Sequence, residues 1–204
     1  MYIFLTYYSI MEAIPLDEKY HTYASKTSSD IVSNFGFLFL GLYLLQKQKK
    51  LSLLALHFIL IFVFSGYYHI KPSDERLMWD MIAIVTTHII VLSYFMDKRT
   101  TLVLYILGVM SVLYWKKYND LRPYILILIG APLYLFSKVY SISSVSMYIY
   151  AFMIVNIFAR FLENNDHYVY ELTNERISGH TAKHILGVIG LGLIIKILLT
   201  LKKI

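Results

Sequence analysis

Cysteine is absent from this 204-residue sequence. Disulfide bonds and thiolate metal sites are therefore excluded, so any metal ion must be held by histidine and carboxylate side chains. Charged residues are also scarce, at 16% of the chain, whereas hydrophobic residues make up 58%. A soluble domain needs a larger charged surface than this, and the composition therefore indicates a membrane protein with several spans.

Sequence motifs of several common protein classes are missing as well. The chain contains no P-loop, no glycine fingerprint for a dinucleotide and no internal repeat. Its net charge of +6 could suggest a nucleic-acid partner, but the basic residues form short, scattered clusters between apolar stretches. We therefore expect no nucleic-acid partner and expect the basic residues to set the orientation of the chain in a membrane.

Apolar stretches of near-spanning length follow one another along most of the chain. They cover about residues 31–46, 51–70, 78–96, 101–115, 122–137, 145–162 and 179–200. A helix needs roughly 20 apolar residues to cross the hydrocarbon core. The sequence therefore predicts an all-α fold in which residues 31–204 form a bundle of seven transmembrane helices. Residues 1–30 are predicted to be an N-terminal arm, since they lack the basic start and the cleavage site of a signal peptide.

Loop charges predict the orientation of this bundle. One side carries nine basic residues and one acidic residue, a net charge of +8, and the other carries ten basic and twelve acidic residues, a net charge of −2. Short basic loops stay in the cytosol, so the N-terminus should be outside or lumenal and the C-terminus cytosolic. The residues on the basic side are Lys47, Lys49, Lys50, Asp97, Lys98, Arg99, Lys138, Lys196, Lys202 and Lys203.

Polar residues of chemical interest lie in two short stretches far apart in sequence. Ser65 and His69 are four residues apart, as are His180 and His184, so each pair lies on one face of a helix. The predicted topology brings these pairs and Asp80 to the same membrane depth. Three imidazoles leave the fourth position of a zinc ion open for water, a composition typical of hydrolytic sites. The alternative is that each histidine is a hydrogen-bonded core residue.

These stretches also carry a family resemblance. The run S-G-Y-Y-H-I-K-P-S-D-E-R-L-M-W-D, residues 65–80, and the later run S-G-H-T-A-K-H, residues 178–184, resemble the alkaline ceramidases. Those proteins are seven-helix, zinc-dependent membrane hydrolases in a larger group that includes the progestin and adiponectin receptors. The upstream D-I-V-S-N-F-G-F, with Ser33 and Asn34, looks like the S-N signature of the family's first helix.

The resemblance implies a site and a reaction. His69, His180 and His184 would hold Zn²⁺, which lowers the pKa of a bound water to about 7 and polarises a carbonyl. Asp80 would accept the proton of the water and return it to the leaving amine, and Ser65 would donate to the developing oxyanion. The implied substrate is ceramide or a similar N-acyl lipid, with membrane lipids as the surroundings.

Alternatives to the enzyme remain open at this stage. A receptor or lipid-binding protein could keep a zinc site on the same scaffold. Two departures from the family pattern favour it: Met81, Ile82 and Ala83 follow Asp80 where a basic residue and a proline are common, and the acidic residues near the N-terminus lack the spacing of the family's calcium site. The family's calcium site is therefore not carried over to this chain.

Four residues have less specific interpretations. Asp80 could simply be a residue at the start of the third helix, stabilised by the helix dipole. Lys183, between the two C-terminal histidines, is expected to face away from them and extend to the surface. His57 and His88 are expected to be satisfied core histidines.

Overall fold

The computed structural model describes residues 28–201, and all regular structure in this range is helical. This confirms the all-α prediction. The predicted arm lies outside the described residues except for residues 28–30, and so do the acidic residues at positions 17 and 18. The helices are α1 (Ser28–Ser33), α2 (Phe35–Lys47), α3 (Ser52–Ile70), α4 (Asp74–Leu92), α5 (Lys98–Tyr118), α6 (Arg122–Val139), α7 (Ser146–Asn164), α8 (Asp166–Leu172) and α9 (Gly179–Thr200).

Five segments are long and apolar enough to cross a membrane: Ser29–Lys47, Lys49–Ile70, Arg122–Val139, Ser146–Asn164 and Gly179–Thr200. These five segments are compatible with the prediction of a multi-span membrane protein. Helices α4 and α5 have 19 and 21 residues, so they are as long as these five segments. They fall short in hydropathy because charged residues occupy their ends.

The surface of the bundle also suits lipid rather than water. Large apolar side chains point outward along the long helices, among them Leu126 (74% exposed), Met147 (71%) and Ile157 (67%). Contiguous apolar surface of this kind is rare on soluble monomers. The exposed faces therefore fit a protein whose surroundings are hydrocarbon.

Helix α4 begins earlier than the sequence predicts, at Asp74 rather than at residue 78. Ser73 is its N-cap, and its hydroxyl accepts a hydrogen bond from the backbone N–H of Arg76 at 3.3 Å. Pro72 cannot continue α3, so the chain turns within residues 71–73. Asp80 consequently lies in the second turn of α4, and the interpretation of Asp80 as a helix-start residue is wrong.

Three apolar clusters hold the described part of the bundle together. Leu44, Phe58, Ile149 and Leu198 belong to the largest one, which joins α2, α3, α4, α6, α7 and α9. The second joins α3, α4, α5 and α6, and the third joins α2, α3 and α4. Short connections make successive long helices antiparallel, so the starts of α1, α4, α6 and α9 lie at the same end of the bundle as the ends of α3 and α7.

Candidate metal centre

Three histidines converge at this end of the bundle. His69 lies at the last turn of α3, and His180 and His184 lie on the first two turns of α9. One ligand nitrogen from each imidazole can be chosen so that all three lie within 4.8 Å of one another. The predicted convergence of these three residues is therefore confirmed.

The spacing of the nitrogens fits a tetrahedral ion. Nε2 of His69 and Nε2 of His180 are 3.2 Å apart. Two nitrogen ligands of a tetrahedral zinc ion are separated by about 3.3 Å, because each Zn–N distance is about 2.0–2.1 Å. Since the chain has no cysteine, three neutral imidazoles would be the donor set, and such a set suits Zn²⁺ with one position left open.

Ser33 fixes the third imidazole. Its hydroxyl donates to the backbone carbonyl of Asp30 at 2.9 Å and lies 2.9 Å from Nδ1 of His184. Because the only proton of the hydroxyl is used on that carbonyl, Nδ1–H of His184 must be the donor to the Ser33 oxygen. The proton of His184 is thereby held on Nδ1, and the lone pair of Nε2 is available to a metal.

The N-terminus of α9 is anchored by polar contacts from three directions. Ser178 is the N-cap and accepts from the backbone N–H of Thr181 at 2.9 Å. The buried carboxylate of Asp30 accepts from the hydroxyls of Ser178, at 3.2 Å, and of Thr181. Asp166 accepts from the backbone N–H of His180 at 2.6 Å. Two carboxylates at a helix N-terminus stabilise it, and they hold the first turn that carries His180.

Burial has an effect on Asp166 that opposes this hydrogen bond. Asp166 lies on the short α8, between the two apolar helices, and burial raises the pKa of its carboxyl above the usual value, while the N–H of His180 acts in the opposite direction. The hydrogen bond favours the ionised carboxylate, which is the form that caps α9, although the position is poorly solvated.

Gly179 allows α9 to approach α7 this closely. A Cβ at position 179 would collide with the backbone carbonyl oxygen of Leu162 and with the Cα of Asp166. Backbone atoms cannot move aside as a flexible side chain can. The glycine in S-G-H is therefore required by the contact between the first turn of α9 and the end of α7.

Lys183 lies beside the three histidines. Its Nζ donates to Oε1 of Glu163 at 2.6 Å and lies 3.3 Å from Nδ1 of His180. The prediction that Lys183 faces away from the histidines is wrong, because Glu163, on the last turn of α7, offers an ion-pair partner inside the bundle. Glu163 pairs through its other oxygen with Arg160.

Asp80 and Ser65 are both buried. Asp80 is 6% exposed and lies close enough to Lys183 and Glu163 for electrostatic interaction. Its Oδ1 is buried and has no hydrogen-bond partner among the described residues. The carboxylate does not belong to the group of possible ligands, which agrees with a role other than coordination. Ser65 is 2% exposed, one helical turn further into the bundle than His69.

His57 and His88 behave as core residues. Nδ1 of His57 lies 2.8 Å from the carbonyl of Leu53, and Nδ1 of His88 lies 2.9 Å from the carbonyl of Ile84. Both are bonds to the preceding turn of the same helix. Nε2 of His57 is buried without a hydrogen-bond partner among the described residues, so the prediction of a fully satisfied core histidine is wrong for His57.

Sequence reasoning assigned no role to three residues that contact the site: Ser33, Asp30 and Glu163. Ser33 was visible as part of the S-N motif, although the motif does not reveal which imidazole it contacts. Asp30 and Glu163 are acidic residues inside or at the end of apolar helices, which is itself a signal of function in membrane proteins.

Comparisons with protein-family models, with curated proteins and with solved structures found no match for this chain.

Proposed function

We propose that the chain is an intramembrane zinc-dependent amide hydrolase that acts on ceramide or a similar N-acyl lipid. The observation that carries the proposal is the convergence of three imidazole nitrogens within 4.8 Å. A buried carboxylate, Asp80, interacts electrostatically with Lys183, whose Nζ lies 3.3 Å from Nδ1 of His180. His69, His180 and His184 would hold the ion. When bound, Zn²⁺ supplies a Lewis acid and lowers the pKa of a water to about 7.

Asp80 is the residue best suited to move the proton. Its Oδ1 is buried without a partner, so a carboxylate oxygen is available to accept a proton from the attacking water. The water oxygen bonds to the amide carbon, the C–N bond breaks, and Asp80 returns the proton to the leaving nitrogen. The products are a fatty acid and a lipid with a free amine.

Ser65 and His69 share one face of α3, and both side chains are buried. A hydroxyl at this position can donate to the oxygen of a carbonyl whose carbon is under attack, where negative charge develops. Because Ser65 lies deeper in the bundle than His69, this arrangement orients the scissile amide with its carbonyl towards the interior of the membrane.

The surroundings favour a lipid substrate. The site lies at one end of long apolar helices whose outer faces expose large hydrophobic side chains. Acyl and alkyl chains can lie along these faces while the amide reaches the polar end. The resemblance of residues 65–80 and 178–184 to the ceramidases narrows the proposed substrate to ceramide or a close relative.

The proposal includes a bundle of seven spans with the site on the non-cytosolic side. Helices α4 and α5 have the length of a span, and their terminal charges would lie at the two interfaces. Every second connection carries the basic residues that predict a cytosolic face, and the metal centre lies at the opposite end.

Turnover by the purified full-length chain tests this function. We expect release of fatty acid from ceramide with a labelled acyl chain, its loss on treatment with a chelator, and its return when Zn²⁺ is added back. His180→Ala should abolish turnover, and His167→Ala, in an exposed histidine paired with Glu171, is the control that should leave it intact. Zinc binding without hydrolysis of any N-acyl lipid would favour the receptor or binding protein instead.

A further inference from the structure

Glu163 and Lys183 form a charged pair next to one imidazole of the metal centre, and the proposed function gives this pair no role. Oε1 of Glu163 lies 2.6 Å from Nζ of Lys183 and 3.9 Å from Nδ1 of His180. Nζ of Lys183 lies 3.3 Å from the same Nδ1. An acceptor and a donor therefore compete for one nitrogen.

The outcome of this competition decides where the proton of His180 is held. If the ammonium of Lys183 donates to Nδ1, the ring proton of His180 is on Nε2, the nitrogen that lies 3.2 Å from Nε2 of His69. In the absence of a metal, this Nε2–H of His180 can donate a hydrogen bond to Nε2 of His69. A metal on Nε2 requires the proton on Nδ1, and an ammonium cannot accept it.

We infer that Glu163 is the positioning residue of His180: it accepts the Nδ1–H when a metal is held, and Lys183 opposes metal binding. This inference rests on the proposed metal centre. A ligating histidine usually donates its second nitrogen to a carboxylate or a carbonyl, and Ser33 fills this place for His184. Glu163 places such an acceptor 3.9 Å from Nδ1 of His180.

Arg160 keeps Glu163 in place. It pairs with Oε2, the carboxylate oxygen that does not contact Lys183. When Nδ1–H of His180 takes the place of the ammonium at Oε1, the carboxylate remains tied to α7 through Arg160. The side chain of Glu163 is 23% exposed, so it needs this second contact to stay oriented.

The inference predicts effects of opposite sign for the two members of the pair. Glu163→Gln removes the charged acceptor and should weaken Zn²⁺ binding by about 10- to 100-fold. Lys183→Met keeps the length of the side chain but removes the competing donor and a positive charge near a cation, so Zn²⁺ binding should tighten. If the ion pair has only a structural role, the Zn²⁺ affinity of both variants should change in the same direction.

Competition between the full-length protein and a fluorescent chelator for Zn²⁺ measures these affinities without reference to turnover. Glu171→Gln, in an exposed Glu–His pair on α8, and Lys117→Met, on the exposed end of α5, are matched controls that should bind like wild type. Thermal unfolding of the metal-free variants reports whether the fold survives.

Wild-type affinity in Glu163→Gln overturns the inference. So does weaker binding in both variants together with a lower unfolding temperature, since that is the behaviour of a structural pair. Opposite effects on zinc in a protein that hydrolyses no amide would leave the inference standing and contradict the proposed enzyme, so the two failures are distinguishable.

Discussion

The hydrogen bond from His184 to Ser33 predicts a specific loss of metal affinity. In Ser33→Ala, the Nδ1–H of His184 loses the hydroxyl oxygen that lies 2.9 Å away. Without metal, His184 can move its proton to Nε2 and so avoid an unpaired donor. When a metal occupies Nε2, the proton cannot move there. The free-energy cost of an unpaired Nδ1–H donor therefore applies only to the metal-bound form.

The size of the effect follows from the penalty for an unpaired buried donor. That penalty is about 1–3 kcal/mol, and each 1.4 kcal/mol changes an equilibrium constant by about tenfold. The expected loss in Zn²⁺ affinity is therefore about 5- to 150-fold. The carbonyl of Asp30 also interacts with this imidazole and can replace part of the lost bond, so we expect a value in the lower part of the range.

Chelator competition on the purified protein measures this loss. Ser111→Ala is the matched control: Ser111 is also a helical serine that bonds to a carbonyl three residues earlier, at 2.7 Å, but it lies on α5 away from the site. We expect wild-type affinity for this control. If Ser33→Ala binds zinc as tightly as wild type, then Ser33 does not fix the proton of His184 and the geometry has been misread.

Three further predictions address the base, the fold and the topology. Asp80→Asn should keep its zinc and lose turnover by about 10²–10⁴-fold, the usual contribution of a general acid or base, in metal analysis and amidase assays. Gly179→Ala should lower the unfolding temperature because its Cβ meets backbone on α7, whereas Gly130→Ala, with open space around it, should not. In this cysteine-free chain, Ser141→Cys should be labelled only from the cytosol and Tyr168→Cys only from the opposite side, with membrane-impermeant maleimide.

Different results would contradict each of these. Loss of zinc in Asp80→Asn would make the carboxylate a ligand or its main orienter, and one histidine would need to be reassigned. Equal stability of the two alanine variants would mean that α9 can move away from α7. Reversed labelling of the two cysteines would place the metal centre on the cytosolic side.

Much of the fold could be predicted from hydropathy. The predicted stretches at 122–137, 145–162 and 179–200 agree closely with α6, α7 and α9, because apolar runs bounded by polar residues mark helices in lipid. The start of α4 was missed because Asp74, Glu75 and Arg76 look like loop residues in a hydropathy pattern. The cap at Ser73 nevertheless starts the helix before them.

The convergence of the three histidines could be predicted from the sequence, but the residues that contact them could not. The spacing of four residues between His180 and His184 and the alternating direction of successive helices were enough to predict that His69, His180 and His184 meet. The contacts of Lys183 with Glu163 and of Ser33 with His184 depend on the rotation of α7 and α1 about their axes. Hydropathy does not determine that rotation, since charged partners such as Glu163 sit in otherwise apolar helices.

Zinc content is the most direct test of the central claim that these three histidines form a metal centre. Wild-type protein purified without added chelator should hold about one zinc per chain, and a variant with alanine at positions 69, 180 and 184 should hold none. Stoichiometric zinc in that triple variant would contradict the account.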